Sequence, residues 1–333
     1  MTTFRLEAQD EFPHALETAS NFNESVYCNM FDPERKMGGW MRLGNRANEG
    51  YAELSVCLYL PDGRLACQFL RPPISDNDRF EAGGLVYAVA EPFKTLSIGY
   101  EGSVYVLENA GDLADPKSVF TTAPRQPCRV DWQINGCSPM HGGEPTAADG
   151  ETMYGRSFSR GHFNQHTRAE GIIRVGDSEW SVDGFGWRDH SWGPRYWQNI
   201  RFYRLLIANF GADAGLMALK ITQPDGTTRR HGVLMREGRY EPIRDLDIVS
   251  DWTEDKNQRR ISCLVRTDRG SEAIEGRVIT LAPLRNRRMI DGHELRTRIA
   301  EGFTEWHWNG RTGLGMSEYL DLIDDGAPAG FPG

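Results

Sequence analysis

Residues 51–70 read YAELSVCLYLPDGRLACQFL, and this stretch decides the fold. Apolar and polar side chains alternate within Tyr51–Leu60, which is the period of a β-strand with one buried face. Pro61-Asp62-Gly63-Arg64 then supplies the residues of a tight turn, and Leu65–Leu70 is the returning strand. The stretch therefore predicts a β-hairpin.

Similar short strands separated by turn residues recur along the chain. Gly176-Asp177-Ser178 separates two of them, Gly171–Val175 and Glu179–Val182. We predict further strands at 84–90, 95–100, 103–107, 128–134, 200–210, 215–222, 228–235, 260–267 and 272–281. Helical patterns are few, and the clearest is a short helix over Asp10–Thr18. Many short strands at this spacing favour a β-barrel or a β-sandwich.

Length and composition exclude several classes of protein. At 333 residues, with 39% hydrophobic and 26% charged residues, the chain is long enough for two folded domains. The formal net charge of −9 disfavours a nucleic-acid partner, because such binding needs a basic surface. No apolar run approaches the ~20 residues that cross a bilayer, so we expect no stable membrane insertion. The N-terminus lacks the pattern of a signal peptide, which predicts a cytoplasmic protein.

A segment rich in glycine and proline, Asn135–Tyr154, lies near the middle of the chain without apolar periodicity. It predicts a boundary between two β-domains, residues 1–145 and residues 146–333. The block Gly38–Glu53 is not a phosphate loop, because no GKS or GKT follows its glycines. We interpret it as a turn-rich strand entry in which Arg46 pairs with Glu49 or Glu53.

The sequence predicts no metal site and no cofactor. Six cysteines are scattered without paired spacing, as expected of reduced and mostly buried thiols. His162 and His166 stand four residues apart, but in a strand that spacing separates them by about 13 Å, too far for one ion. Motifs of the GxGxxG and GxSxG types are absent.

The candidate site is the stretch GFGWRDHSWGPR at Gly184–Arg195, which places an acid, an imidazole and two indoles between glycines. If it is extended, Trp187, Asp189 and Ser191 share one face of a sheet, and the alternate residues 188, 190 and 192 share the other. Only one of these sets can line the inside of a barrel. Asp189 beside Trp187 would be a proton donor in apolar surroundings, whereas the other set offers His190.

A structural interpretation of the same stretch stays open. In it Asp189 pairs with Arg188 or Arg195, His190 bonds to a backbone carbonyl, and the tryptophans fill the core. Near the C-terminus, Glu305 and His307 would share a strand face among aromatic residues. Glu305 is therefore either a second site residue or the partner of an arginine from the candidate stretch.

Gly186-Trp187-Arg188-Asp189-His190-Ser191-Trp192-Gly193 resembles the Asp-[His/Arg]-x-Trp-[Gly/Ser] signature of carotenoid 1,2-hydratase and AttH-type proteins. The chain is most similar to a bacterial branch that shares five ordered blocks with it, at residues 24–25, 38–53, 60–64, 188–195 and 313–319. This resemblance spans most of the chain. It implies an all-β fold of two lipocalin-like antiparallel β-barrels in tandem, with the RDHSWGPR motif in the C-terminal one.

The resemblance also implies a type of activity. We expect a cofactor-independent lyase, hydratase, cyclase or isomerase that acts on a hydrophobic small molecule, terpenoid, steroid-like or aromatic, inside a barrel cavity. Asp189 would be the acid, with His190 its neighbour or water-positioning base, and Glu305 a further catalytic group. The residues expected to bind the substrate are Trp187, Trp192, Arg188, Arg195, Tyr196 and Trp40. The alternative function is a non-catalytic carrier of a lipophilic ligand.

Overall fold

The computed structural model describes residues 3–147, 149–155, 158–290 and 292–332. It confirms the all-β prediction, with one sheet of twelve strands and one of ten. The chain forms two compact units. The first unit consists of Met1–Pro61, Ala66–Val106 and Pro124–Trp197, and the second of Asp62–Leu65, Leu107–Ala123 and Gln198–Gly333.

The twelve strands of the first sheet lie between residues 4 and 194. They are β1 (Phe4–Arg5), β2 (Phe22–Asp32), β3 (Met37–Arg46), β4 (Tyr51–Tyr59), β5 (Leu65–Leu70), β6 (Glu81–Ala82), β7 (Leu85–Glu91), β8 (Thr95–Leu107), β9 (Arg125–Gly136), β10 (His141–Pro145), β11 (Gly161–Val175) and β12 (Ser178–Pro194). The helical elements are short: 3₁₀ turns at Ala8–Glu11, Ala47–Glu49, Ala110–Ala114 and Trp197–Asn199, and the α-helix α1 (Pro116–Thr122).

Eight of these strands close into a ring. Their order is β11, β12, β2, β3, β4, β5 and β8, and β9 pairs with both β8 and β11. Closure satisfies the backbone groups that an open sheet leaves at its edges. The inner face carries a continuous apolar cluster that includes Val26, Met41, Val56, Val130 and Val182. The first unit is therefore a closed β-barrel with a filled core.

The second unit contains the ten-stranded sheet. Its strands are β13 (Phe202–Asn209), β14 (Gly215–Thr222), β15 (Thr228–Arg236), β16 (Arg239–Pro242), β17 (Asp245–Trp252), β18 (Gln258–Thr267), β19 (Gly270–Ile290), β20 (His293–Trp308), β21 (Arg311–Asp324) and β22 (Ala327–Pro328). A separate apolar cluster fills this unit and includes Leu216, Ile261 and Trp306. No helix among the described residues is long and apolar enough to span a membrane.

The division of the chain differs from the predicted boundary at 145/146. The hairpin of β11 and β12 pairs with β9 on one side and with β2 on the other, so it completes the first barrel. The RDHSWGPR motif therefore lies in the first unit and not in a C-terminal barrel. The Gly/Pro-rich segment that suggested the boundary is a connection within that unit.

Two local predictions are wrong. The helix predicted over Asp10–Thr18 is only the 3₁₀ turn Ala8–Glu11, because Pro13 cannot continue a helical hydrogen-bond ladder. In the glycine-rich block, residues 38–46 are not a strand entry but belong to the strand β3, and only Ala47–Glu49 with Gly50 forms a turn before β4. Gly38 and Gly39 of β3 lie against the backbone oxygens of the flanking strands, where any side chain would clash. The predicted Arg46–Glu49 ion pair is present.

Candidate active site

Strand β12 presents two different sets of side chains on its two faces. The predicted alternation is confirmed, but the assignment of the faces is reversed. Val182 belongs to the barrel core, and the residues of the same parity, Arg188, His190 and Trp192, also lie on that core face. Asp189 points to the opposite side of the sheet. The prediction that Asp189 enters the barrel cavity is therefore wrong.

On the core face, Glu24 of β2 lies between two histidines. Its Oε1 is 2.6 Å from Nδ1 of His14 and 2.9 Å from Nε2 of His190. Its Oε2 accepts hydrogen bonds from the backbone N–H of His14 at 2.9 Å and from the Asn77 amide at 2.6 Å. The ring of His14 stacks on Trp192 with 4.1 Å between centroids. His190 thus bonds to a carboxylate and not to a backbone carbonyl.

These hydrogen bonds fix the charge of Glu24. Burial raises the pKa of this carboxyl, but the hydrogen bonds from His14 and His190 outweigh burial and lower it to about 2. Burial lowers the pKa of His14, yet the hydrogen bond and charge of Glu24 raise it overall above its ordinary value. Nδ1 of His190 has no hydrogen-bond partner among the described residues. An ionised Glu24 that accepts from both rings accounts for this arrangement.

His14, Glu24 and His190 also have the donor atoms that a metal site needs. Their donor atoms lie within 4.8 Å of one another. Two ligands of one tetrahedral zinc ion are about 3.3 Å apart, whereas the contacts of Glu24 measure 2.6 and 2.9 Å. Since these are hydrogen-bond lengths and every contact of the carboxylate fits a hydrogen bond, the group is better described as a hydrogen-bond network.

This network predicts a pH-dependent stability. Because folding raises the pKa of His14, its contribution is complete below the unfolded pKa of about 6.5 and is lost as pH rises through the folded value. Because folding lowers the pKa of Glu24 to about 2, its contribution is lost as pH falls from about 4 through 2. The free energy of unfolding in guanidinium chloride, measured between pH 5 and pH 9, tests the contribution of His14. Glu24→Gln should reduce the loss of stability at alkaline pH to the part that Asp10 contributes, whereas replacement of the exposed His307 by Gln should leave the loss unchanged.

A second buried pair lies beside this network. Both Arg188 and Glu11 are fully buried, and the guanidinium donates to Glu11 at 2.5 and 3.0 Å. Arg188 also donates to Gln165 at 3.0 Å and to the hydroxyl of Tyr87 at 3.3 Å. The predicted role of Arg188 in binding substrate is not supported by this geometry, because its donors are engaged within the barrel. Its position matches the structural interpretation of an arginine–carboxylate pair.

The opposite side of the same strands forms a surface that we call the outer polar face. It is built on β3, β2, β12 and β11, whose cross-strand pairing places polar side chains in adjacent rows. Its members are Arg42, Arg46, Ser25, Tyr27, Asp189, Ser191, His162, Asn164 and, just after β12, Arg195. Arg42, Tyr27 and Asp189 occupy one row and remain partly exposed, whereas the other members are buried.

Asp189 and His162 are a carboxylate and an imidazole that lie close together on this face. Oδ2 of Asp189 lies 3.8 Å from Nε2 of His162, and the Asp189 side chain is 25% exposed while His162 is buried. His162 packs edge-on against Tyr154 with 5.1 Å between centroids. Asp189 forms no hydrogen bond to Arg188 or Arg195 among the described contacts, so the predicted structural pairing of this residue is absent. A reachable carboxylate beside an imidazole can donate and accept protons.

The remaining predicted residues fall in different places. Trp187 is buried on the side of Asp189, and its backbone N–H donates to Asn29 at 2.8 Å. Trp40 is buried and stacks near Tyr27 with 6.0 Å between centroids. Tyr196 is 40% exposed.

Glu305 is not part of the outer polar face. It lies on β20 in the second unit and pairs with Arg277 at 2.8 Å. The alternative partner, an arginine of the candidate stretch, is not the one found for it. All six cysteines are free and five are buried, as predicted.

Sequence reasoning missed the partners of the motif. Glu24 and Glu11 lie 166 and 177 residues away from His190 and Arg188 in the chain, so no local spacing reveals the pairs. A signal for the faces did exist. Val182 is apolar between the polar residues Ser181 and Asp183, and continuing its parity along one unbroken strand puts His190, not Asp189, on the core face.

Comparison with solved structures finds the same fold in other proteins. A solved structure of an AttH-type protein from Nitrosomonas europaea has a TM-score of 0.61 at 14% identity, over 92% of this chain and 96% of that one. CghA in complex with Sch210972 has a TM-score of 0.58 at 11% identity, over 94% and 95%. Kievitone hydratase from Nectria haematococca has a TM-score of 0.55 at 8% identity, over 92% and 93%. Among curated protein sequences no match is found.

These structures confirm the resemblance at the level of the fold alone. The family model of a domain of unknown function, DUF7064, matches residues 7–323, which is nearly the whole chain. The chain therefore belongs to the DUF7064 family.

Proposed function

We propose that this protein is a cofactor-independent enzyme of the hydratase or isomerase type, acting on a hydrophobic small molecule at the outer polar face. The observation that carries this proposal is the pair of Asp189 and His162. The carboxylate is 25% exposed and 3.8 Å from a buried imidazole, in a face whose other side chains are mostly buried. Such a pair suits general acid–base catalysis.

With this pair, the addition of water to a C=C bond needs no reagent other than water. Protonated Asp189 gives its proton to one carbon of a C=C bond, and the neighbouring carbon becomes electron-deficient. Water attacks that carbon and loses a proton to His162, which returns it to Asp189 across the short gap. In an isomerisation, His162 would instead remove a proton from the adjacent carbon. Both sequences restore the starting protonation states.

The surroundings support a hydrophobic substrate. Tyr154 and Phe158 stack with 4.6 Å between centroids, and Phe158 packs edge-on against Trp197 at 5.1 Å. Aromatic rings provide apolar contact area and faces that stabilise a developing cation. The fold is consistent with such chemistry, since a protein named as a hydratase shares it. At 8–14% identity, however, the likeness extends only to the fold.

Native mass spectrometry of freshly purified protein tests the proposal. We expect a bound small molecule, identifiable by its mass after release. Incubation of that compound with the protein should then give a product of equal mass, or one changed by the mass of one water. A compound that is always recovered unchanged would contradict the enzymatic proposal and favour a carrier.

A further inference from the structure

Arg195 is a buried cation without a carboxylate partner. Arg195 is 6% exposed, and no acidic side chain of the described residues lies within ion-pair distance of its guanidinium. Nη2 donates to the hydroxyl of Ser191 at 2.7 Å, whereas Nε has no hydrogen-bond partner in the part of the chain that the structure describes. Burial, together with the nearby charge of Arg42, lowers the pKa of this guanidinium to about 9. A charge held in this way is costly unless something else binds there.

Arg42 approaches the same place from the other side. Its guanidinium lies over Gly44, where a side chain would come within 2.7 Å of Nη2. Nη1 contacts Glu53 at 3.3 Å, but Nη2 is buried without a hydrogen-bond partner among the described residues. The absence of a side chain at Gly44 therefore makes room for this guanidinium above the sheet.

The strand register brings the two guanidinium groups to one row. Gly44 pairs with Ser25, and Ser25 pairs with Ser191. The hydroxyls of Ser25 and Ser191 are 3.0 Å apart. Strands two apart in a sheet are separated by about 10 Å, a distance across which donors that reach inward from each side can share one small anion. Ser25 lies on the strand between them.

We infer that the ligand of the outer polar face carries a carboxylate group, which binds between Arg42 and Arg195. The inference rests on the proposed function, which makes this face the ligand site. A carboxylate matches the fork of a guanidinium and accepts hydrogen bonds from two of them. It would give the unpartnered Nε of Arg195 and Nη2 of Arg42 their acceptors.

Charge balance favours a monoanion. Arg42 contacts Glu53, and Arg46 pairs with Glu49, so Arg195 is the one arginine of the outer polar face without an ion pair in the described structure. Asp189 and Glu53 are near enough to act on this charge, but neither lies within ion-pair distance of Arg195 in the described structure. Phe158 lies 3.9 Å from the guanidinium of Arg195, and Trp197 lies 5.7 Å from it. The ligand class is thus a carboxylic acid with an apolar body.

The test compares acids with their neutral amides. Cinnamate, geranate and lithocholate, each beside its primary amide, are titrated by NMR into the wild-type protein, Arg195→Met, Arg42→Gln and the control Arg168→Gln. Arg168 is half exposed and pairs with Asp183, away from the outer polar face. We expect at least one acid to bind wild type about tenfold or more tightly than its amide. Both site variants should lose that preference, and the control should keep it.

Each other outcome is informative. The inference is overturned if every acid binds as tightly as its amide. It is also overturned if the preference for the acid remains in the folded variants Arg195→Met and Arg42→Gln. Failure of all three acids to bind also overturns it. Arg42 is partly exposed, so its variant remains informative if Arg195→Met does not fold. A different result would contradict the proposed function. If wild type prefers the acid and Asp189→Asn keeps full turnover, the carboxylate site stands but Asp189 is not the catalytic acid.

Discussion

An Asp189→Asn variant is expected to turn over its substrate about 10²- to 10⁴-fold more slowly than the wild-type protein. The amide has nearly the same shape and stays polar, but it cannot supply the proton that the proposed reaction needs. Asp189 contacts no buried cation at hydrogen-bond distance, so we expect the free energy of unfolding to change by less than about 0.5 kcal/mol. Steady-state kinetics with the compound identified by mass spectrometry measures the effect.

Asp183→Asn is the matched control for this experiment. Asp183 lies on the same strand and has the same parity, but it is 54% exposed and pairs with Arg168. Its replacement should leave kcat and KM close to those of the wild-type protein. If Asp189→Asn retains full kcat, the acid assignment is wrong. A raised KM with unchanged kcat would make Asp189 a binding residue instead.

Replacement of Arg188 by Leu is expected to destabilise the first unit by about 3–5 kcal/mol. Arg188 and Glu11 are both fully buried, so removal of the guanidinium leaves a carboxylate without its counter-charge inside the barrel. Tyr87 and Gln165 lose a donor as well. Chemical unfolding monitored by tryptophan fluorescence measures the loss.

Two comparisons separate the pair from a general packing effect. The double variant Arg188→Met/Glu11→Gln removes both charges and should recover most of the stability. Arg168→Gln breaks an ion pair whose side chains are 49% and 54% exposed, and should cost no more than about 1 kcal/mol. A loss in Arg188→Leu as small as that of Arg168→Gln would contradict the buried-pair argument.

Strands bounded by turn residues were predictable from the sequence. β5 and β14 have the predicted bounds although both are largely buried on both faces, and β4, whose first residues alternate, differs by one residue at its end. β2 and β3 were missed. Each of them is buried on both faces along almost its whole length, which removes the alternation, and glycines in β3 resemble a turn.

The site was predictable only in part. The motif itself and its two sets of side chains follow from local sequence, whereas the orientation of the strand depends on its pairing with β2 and β11. In the sequence, His162 stands out only through its spacing from His166, and Arg42 only as part of a glycine-rich block. Their places on the outer polar face follow from the register, which sets Asp189 opposite Asn164 and Tyr27. Such register depends on contacts between distant parts of the chain.

The two faces of β12 have a consequence for how this family diversifies. Arg188 and His190 anchor the barrel interior, while Asp189 and Ser191, one residue away from each, belong to the outer polar face. If the outer polar face binds the ligand, as we propose, selection can alter the odd-numbered positions for a new ligand while the even-numbered positions preserve the fold. Homologues that share the interior pairs but differ on the outer polar face would be relatives with diverged specificity. One strand of this kind carries the residues that maintain the fold and the residues of the proposed site on opposite faces, so that the two sets can change independently.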